Sequence, residues 1–181
     1  MDKNQLAERQ LIKQFYGFAK SICQRYGANE EEVEEMINDG FLKMFNNLHK
    51  YDAKQPFKAW LRTIMTNGSI DYYRKQHKFS LHIGLENAYT ESIDEDLISS
   101  ISAQEILALV QKLPPSYRMV FTMYVVEGYN HREIGELLGV QEGTSKSNLA
   151  GARQKLQEMI RHYSPQLYAS YSSNKRKANE S

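Results

Sequence analysis

One cysteine, Cys23, stands in the whole 181-residue chain. That scarcity excludes an internal disulfide framework and a thiolate metal cluster. No run approaches the ~20 apolar residues of a membrane span, and the opening MDKNQLAERQLIK lacks a signal-type apolar core. The five histidines (49, 77, 82, 131 and 162) form no close i,i+4 pair and no HExxH motif. A cytoplasmic protein without metal or cofactor is therefore expected, with no insertion into a membrane. Strand-type alternation and internal repeats are also missing. What remains is a hydrophobic content of 41%, enough to pack a core.

Net charge is nearly absent as well, at +1, but the total hides a segregation. Residues 1–80 carry 13 basic and 10 acidic side chains. Residues 81–110 carry 6 acidic and no basic ones, and residues 111–181 carry 10 basic and 6 acidic. Two basic blocks thus flank an acidic stretch, and the field at a surface follows local charge rather than the sum.

Helical periodicity dominates. From Leu6 to Tyr26, the residues Leu11, Phe15, Ile22 and Tyr26 mark one face, and Gly27 is read as its C-terminal stop. Asn29 and Glu32 form an Asn-x-x-Glu capping pattern ahead of Val33, Met36, Ile37, Gly40, Phe41, Met44, Phe45 and Leu48. The loop 49–56 leads through Pro56 into a third helix, with Phe57, Trp60, Leu61, Ile64, Met65 and Gly68 as its inward stripe. Periodicity lapses through the acidic residues beyond 79. It resumes near Ala103–Lys112, continues from Ser116 to about Glu127 after Pro114 and Pro115, then through a capped HREIGELL and a last helix from Glu142. The expected architecture is all-α, with two small helical domains. A first domain covers 1–79, an acidic linker 80–102, a second domain 103–163, and a disordered tail 164–181.

Two constellations suggest chemistry. In NHREIGELLGVQEGTSKSNLAGAR (130–153), Ile134, Leu137 and Leu138 precede a turn at Gly139, and Leu149 and Ala152 face back from a longer helix. That spacing is a helix-turn-helix, which would present Lys146, Ser147, Asn148 and Ala150 to a major groove, with Thr144 and Arg153 near phosphates. A plain helical hairpin is the bland alternative. Residues 50–78 mix Lys50, Lys54, Lys58, Arg62, Arg74, Lys75 and Lys78 with Tyr51, Phe57, Trp60, Tyr72 and Tyr73. Cations neutralise phosphates and exposed aromatic faces accept unstacked bases, so this mixture suits melted DNA. A solvated basic face over core aromatics is the competing account.

Together the halves resemble the extracytoplasmic-function sigma factors of bacteria. EEMINDGFLKMFNNL (34–48) and FKAWLRTIMTNGSIDYYRKQ (57–76) resemble that family's region 2. LPPSYRMVFTMYVVEGYNHREIGELLGVQEGTSKSNLAGARQKL (113–156) resembles its region 4. The resemblance implies a non-catalytic subunit that binds core RNA polymerase, recognises minus-ten and minus-thirty-five promoter elements, and directs initiation. Asn38, Asp39 and Leu42 would dock on polymerase. Tyr51, Lys54, Lys58, Arg62, Asn67, Asp71, Arg74 and Lys75 would serve the minus-ten element, with Asn67 on the melted non-template strand. Arg132, Thr144, Lys146, Ser147, Asn148, Ala150 and Arg153 would serve the duplex minus-thirty-five element. An anti-sigma factor is a further partner that the resemblance admits.

The chain also departs from the family pattern. Ser145 stands where an aliphatic residue usually packs the helix-turn-helix, so weaker local packing is expected. Asn148 and Gly151 replace frequent arginines, which would remove phosphate contacts or alter base preference, and Gln141 replaces a usual Ser or Thr cap. Rival readings are a helix-turn-helix regulator that is not a sigma subunit, and a pure interaction protein. An enzyme is disfavoured, because Glu30, Glu31, Glu32, Glu34 and Glu35 crowd one helix start with no nucleophile or oxyanion donor converging on them.

Overall fold

The computed structural model describes residues 3–77 and 102–163, and among these every regular element is helical. The expectations for residues 80–101 and 164–181 lie outside the described residues. The chain divides into two compact units, Met1–Ser80 and Leu81–Ser181.

In the first unit, α1 (Lys3–Cys23), α2 (Glu30–Asn46) and α3 (Phe57–Gln76) pack pairwise against one another. The Asn29 side chain accepts from the Glu32 amide at 2.9 Å, while the Glu32 carboxylate accepts from Ala28 N at 2.8 Å. The reciprocal bond therefore reaches one residue further back than in a standard capping box. Val33, Met36, Ile37, Gly40, Phe41 and Met44 are buried along α2, as the sequence pattern predicts. Leu48 is not: it opens a short 3-10 turn, Leu48–Lys50, and is exposed. Gly40 sits where α2 meets α3, and a Cβ there would lie 2.3 Å from Met65 Sδ.

Two further sequence expectations for this unit are corrected. Gly27 is not a left-handed helix stop, since positive φ occurs only at Gly128 and Gly139 among the described glycines. It is small for a packing reason, because a Cβ would fall 2.6 Å from Val33 Cγ2. Phe57, Trp60 and Ile64 are only half-buried. The fully buried positions of α3 are Leu61, Met65, Thr66, Gly68, Ser69, Ile70 and Tyr73.

In the second unit, α7 (Glu142–Tyr163) packs against α5 (Pro115–Phe121) and α6 (His131–Leu138), with α4 (Ala103–Gln111) also in contact. Val110, Leu113, Met119, Val120, Phe121, Met123, Ile134, Leu138, Leu149, Ala152, Leu156 and Ile160 make its core. Ser102 and Glu105 form a capping box on α4, as Asn130 and Glu133 do on α6. Arg118 is buried and donates to the carbonyls of Gln111 (2.8 Å) and Leu113 (3.3 Å), so a fixed cation meets the C-terminal end of α4 where orphan carbonyls gather.

The helix expected from Ser116 to Glu127 is divided. After Phe121 the chain widens into a π-turn, Thr122–Val126, with Glu127 N bonded to Thr122 O at 3.1 Å. Thr122 and Met123 point into the core, and Tyr124, Val125 and Val126 are exposed. Gly128 then turns the chain at φ 80°.

Candidate nucleic-acid interface

The helix-turn-helix geometry is explicit. Gly139 closes α6 at φ 71°, ψ 34°, and Val140 N bonds to Gly135 O at 3.0 Å. Gly135 packs tightly on the turn: a Cβ there would lie 2.8 Å from Val140 O and 3.6 Å from Glu142 N at the start of α7. Ser145, Leu149, Ala152, Leu156 and Ile160 line the buried side of α7.

On its outer side, Lys146 is exposed, and Thr144, Ser147, Ala150 and Arg153 are half-exposed. Lys146 Nζ is 2.6 Å from Glu142 Oε1, one helical turn earlier. That hydrogen bond and the lysine charge hold the Glu142 carboxyl below its ordinary range. Arg132 lies exposed on α6, with Nε 3.9 Å from Glu136. Asn148 is a correction. It is only 4% exposed, it belongs to the buried row, and its Oδ1 has no hydrogen-bond partner among the described residues. It sits three residues after Ser145 and four before Ala152, so the 3.6-residue period that turned Leu149 and Ala152 inward already placed it with them. Gly151 is buried as well, because Tyr117 covers it and a Cβ would lie 2.5 Å from that ring.

Ser145, where weaker packing was expected, is fully buried with its Oγ 2.9 Å from His131 Nδ1. The His131 ring stacks on Tyr124, with centroids 4.5 Å apart and planes at 21°. Burial, with Lys146 and then Arg153 nearby, lowers the imidazole pKa, against an opposing pull from Glu142. Nothing in the spacing of residues pointed to this pair.

The first unit brings its aromatic residues together at one end of α3. Tyr51 meets Phe57 at 5.3 Å and Trp60 at 5.1 Å between ring centroids, and Phe15 of α1 meets Phe57 at 4.8 Å. The loop is internally braced. The Tyr51 hydroxyl donates to Gln55 O at 2.6 Å, and Asp52 Oδ1 accepts from Lys54 N at 2.9 Å.

Trp60, Ile64, Asn67, Asp71 and Arg74 step three and four residues along one side of α3, and Lys75 adjoins the far end. Asn67, Arg74 and Lys75 are exposed there. Asp71 is paired with Lys43 of α2 at 2.8 Å, which neutralises the one acid in the row. Lys58 and Arg62 do not share this side. Lys58 Nζ lies 5.6 Å from the Phe18 ring centroid, over α1. The α3 residues assigned from sequence to the minus-ten element therefore form two rows.

On α2, Asn38 and Leu42 lie one turn apart and exposed, with Asp39 half-buried beside them. Leu42 is 60% exposed, more than any other large hydrophobic among the described residues. The neighbouring flanks of α2 are tied down: Tyr16 to Glu34, Lys20 to Glu30, and Tyr72 to Glu35 at 3.0 Å. Burial, then that bond, pushes the Tyr72 phenol up to about 12.

A helix-turn-helix unit joined in one chain to a basic, aromatic helical unit defines a two-part DNA-binding factor. Comparison with known proteins narrows the class. Sigma-70 region 2 matches residues 11–79, and Sigma-70, region 4 matches residues 103–156. The chain is 29% identical over 153 residues to the ECF RNA polymerase sigma factor SigW of Bacillus subtilis (strain 168), across 77% of this chain and 81% of that protein. It is 26% identical over 163 residues to the ECF RNA polymerase sigma factor SigE of Mycolicibacterium smegmatis (strain ATCC 700084 / mc(2)155), across 86% of this chain and 62% of that protein. Among solved structures it is similar to the sigma factor RpoE in its co-crystal with the anti-sigma factor NepR from Bartonella quintana. That match has 19% identity and a TM-score of 0.48, over 84% of this chain and 96% of that one. The chain belongs to the extracytoplasmic-function sigma factors, subunits that direct transcription initiation.

Proposed function

We propose that the two units divide promoter recognition between an intact duplex and a melted strand. The carrying observation is the row on α3 from the Tyr51–Phe57–Trp60 cluster through exposed Asn67 to Arg74 and Lys75. From Trp60 to Arg74 it runs about 21 Å at 1.5 Å per residue, the length of about six stacked nucleotides at 3.4 Å each. An aromatic end suits an unstacked base, an exposed amide suits a base edge, and a basic end suits phosphates. Lys58 and Arg62 belong to a separate phosphate-facing row under this reading.

The second unit reads duplex DNA through Lys146, Ser147, Thr144, Ala150 and Arg153, with Arg132 contributing from α6. Asn148 is left out of that surface because it is buried. Asn38, Asp39 and Leu42 form the polymerase-docking face, and the exposed Leu42 supports that choice. Acting with polymerase, the protein works in the cytoplasm. An anti-sigma factor is a further partner under this reading, since covering either promoter surface would silence the pair.

The experiment uses holoenzyme reconstituted from core polymerase and the full chain, with a promoter fragment that this holoenzyme selects from genomic DNA. Lys146→Ala is expected to weaken complexes on duplex and on pre-melted template alike, by about 1–3 kcal/mol for a base-edge contact. Asn67→Ala is expected to reduce permanganate reactivity of unpaired thymines on duplex template, with the defect relieved on an artificial bubble. Equal defects for both variants on both templates would overturn the division.

A further inference from the structure

The position before Lys146 holds a fully buried serine on the packing side of the recognition helix. Ser145 Oγ has a partner because α6 supplies one: His131 Nδ1, 2.9 Å away. The imidazole is in turn held flat against Tyr124 of the π-turn. His131 also occupies the first position of α6, inside its Asn130–Glu133 capping box and directly after the cap residue Asn130. One side chain therefore links three elements: the π-turn, the start of α6 and the first turns of α7.

We propose that His131 and Ser145 form a polar latch that sets the seating of α7, which makes His131 a positioning residue for duplex recognition by Lys146 and Ser147. The latch rests on the duplex reading proposed above. Its logic follows from what Ser145 does without it. A buried hydroxyl left unpaired is costly, and the acceptor within its own helix is the carbonyl one turn back. That carbonyl, Gln141 O, already accepts the Ser145 amide at 3.1 Å. A serine hydroxyl that bonds back to it bends the helix, at the residue adjoining Lys146. Base-edge contacts tolerate displacements well under 1 Å, so a small bend costs discrimination before it costs folding. The pair is asymmetric. His131 is half-exposed and exchanges its lost partner for water, while Ser145 has no access to any.

The test measures promoter discrimination by reconstituted holoenzyme, as the ratio of complex formed on its selected promoter fragment to that on copies with single upstream base pairs replaced. All variants are compared well below their own melting temperatures, so that each is folded. His131→Phe keeps a ring on Tyr124 but removes the nitrogen, and lowers the ratio by about tenfold. Ser145→Ala alone changes it by less than about twofold, since only a half-exposed imidazole loses a partner. In the double variant, Ser145→Ala removes the stranded hydroxyl and restores discrimination most of the way. His131→Asn, whose amide places a polar atom near the Nδ1 position, retains it, and this variant also serves should His131→Phe not fold. Additive losses in the double variant, or a loss in His131→Asn equal to that in His131→Phe, overturn the latch while leaving the duplex reading intact. A Lys146→Ala control with undiminished duplex binding overturns the duplex reading, and the latch with it.

Discussion

Residues of like chemistry on α7 have different fates, and Lys146 and Asn148 make the contrast plain. Lys146 is exposed and paired with Glu142, itself exposed. Asn148 is buried with an unpartnered oxygen. Asn148→Ala is therefore expected to change the thermal midpoint of the second unit while leaving the rank order of bound promoter variants unchanged; Lys146→Ala does the reverse. Circular dichroism melting alongside promoter binding separates them. His131 adds a pH dependence. Its folded pKa lies below the 6.5 of a free imidazole, chiefly through burial, so the unfolded chain binds the proton more readily. Its contribution to stability is complete above the unfolded value and is lost as pH falls from about 6.5 toward the lowered folded value. Melting of the second unit in that window should lose stability in the wild type and less so in His131→Phe. Equal slopes would remove His131 from the account.

At the scale of elements, the helices announced themselves and their interruptions did not. Both Asn caps and the α2 stripe were legible, because capping and 3.6-residue periodicity are local physics recorded in adjacent residues. The π-turn at Thr122–Val126 was not, since TMYVV carries no glycine or proline to mark a widened turn. That Lys58 and Asn67 lie on different sides of α3 was missed for a different reason: charge was counted along the chain without following the angle around the helix. The His131–Ser145 pair lies beyond any local rule, because it joins residues 14 positions apart through tertiary packing. The turn itself offers a direct check. Gly139 adopts a left-handed conformation with open space where a Cβ would go. Gly139→Ala should thus cost about 1–2 kcal/mol from backbone strain alone, read as a lower melting temperature of the second unit.

For the whole molecule, the two units differ in the reporters they carry. Trp60 is the only tryptophan and Cys23 the only cysteine, and both lie in the first unit. Burial raises the Cys23 thiol to about 11, with the Ser69 hydroxyl pulling weakly the other way. Little thiolate exists near neutral pH, so thiol labelling is expected to wait for the first unit to open. Rapid labelling of the native chain at pH 7.5 would show that the α1–α3 packing around Cys23 is looser than described. Docking is tested at the same scale. Asp39→Arg, which reverses charge beside exposed Leu42, should weaken competition for core polymerase without altering the thiol-labelling rate. Unchanged competition would move the docking face elsewhere.

The Lys146–Glu142 pair has a consequence for how the protein finds its promoter. A lysine paired with a carboxylate of its own helix displaces fewer condensed counterions when it meets an arbitrary stretch of DNA. At this helix the second unit therefore gains less from bulk genome that offers phosphates alone. On the duplex reading proposed above, exchanging Glu142 for a base edge is favourable only where that edge offers the lysine better acceptors. On that reading the protein leaves a wrong site readily, and the vast excess of irrelevant DNA retains less of it.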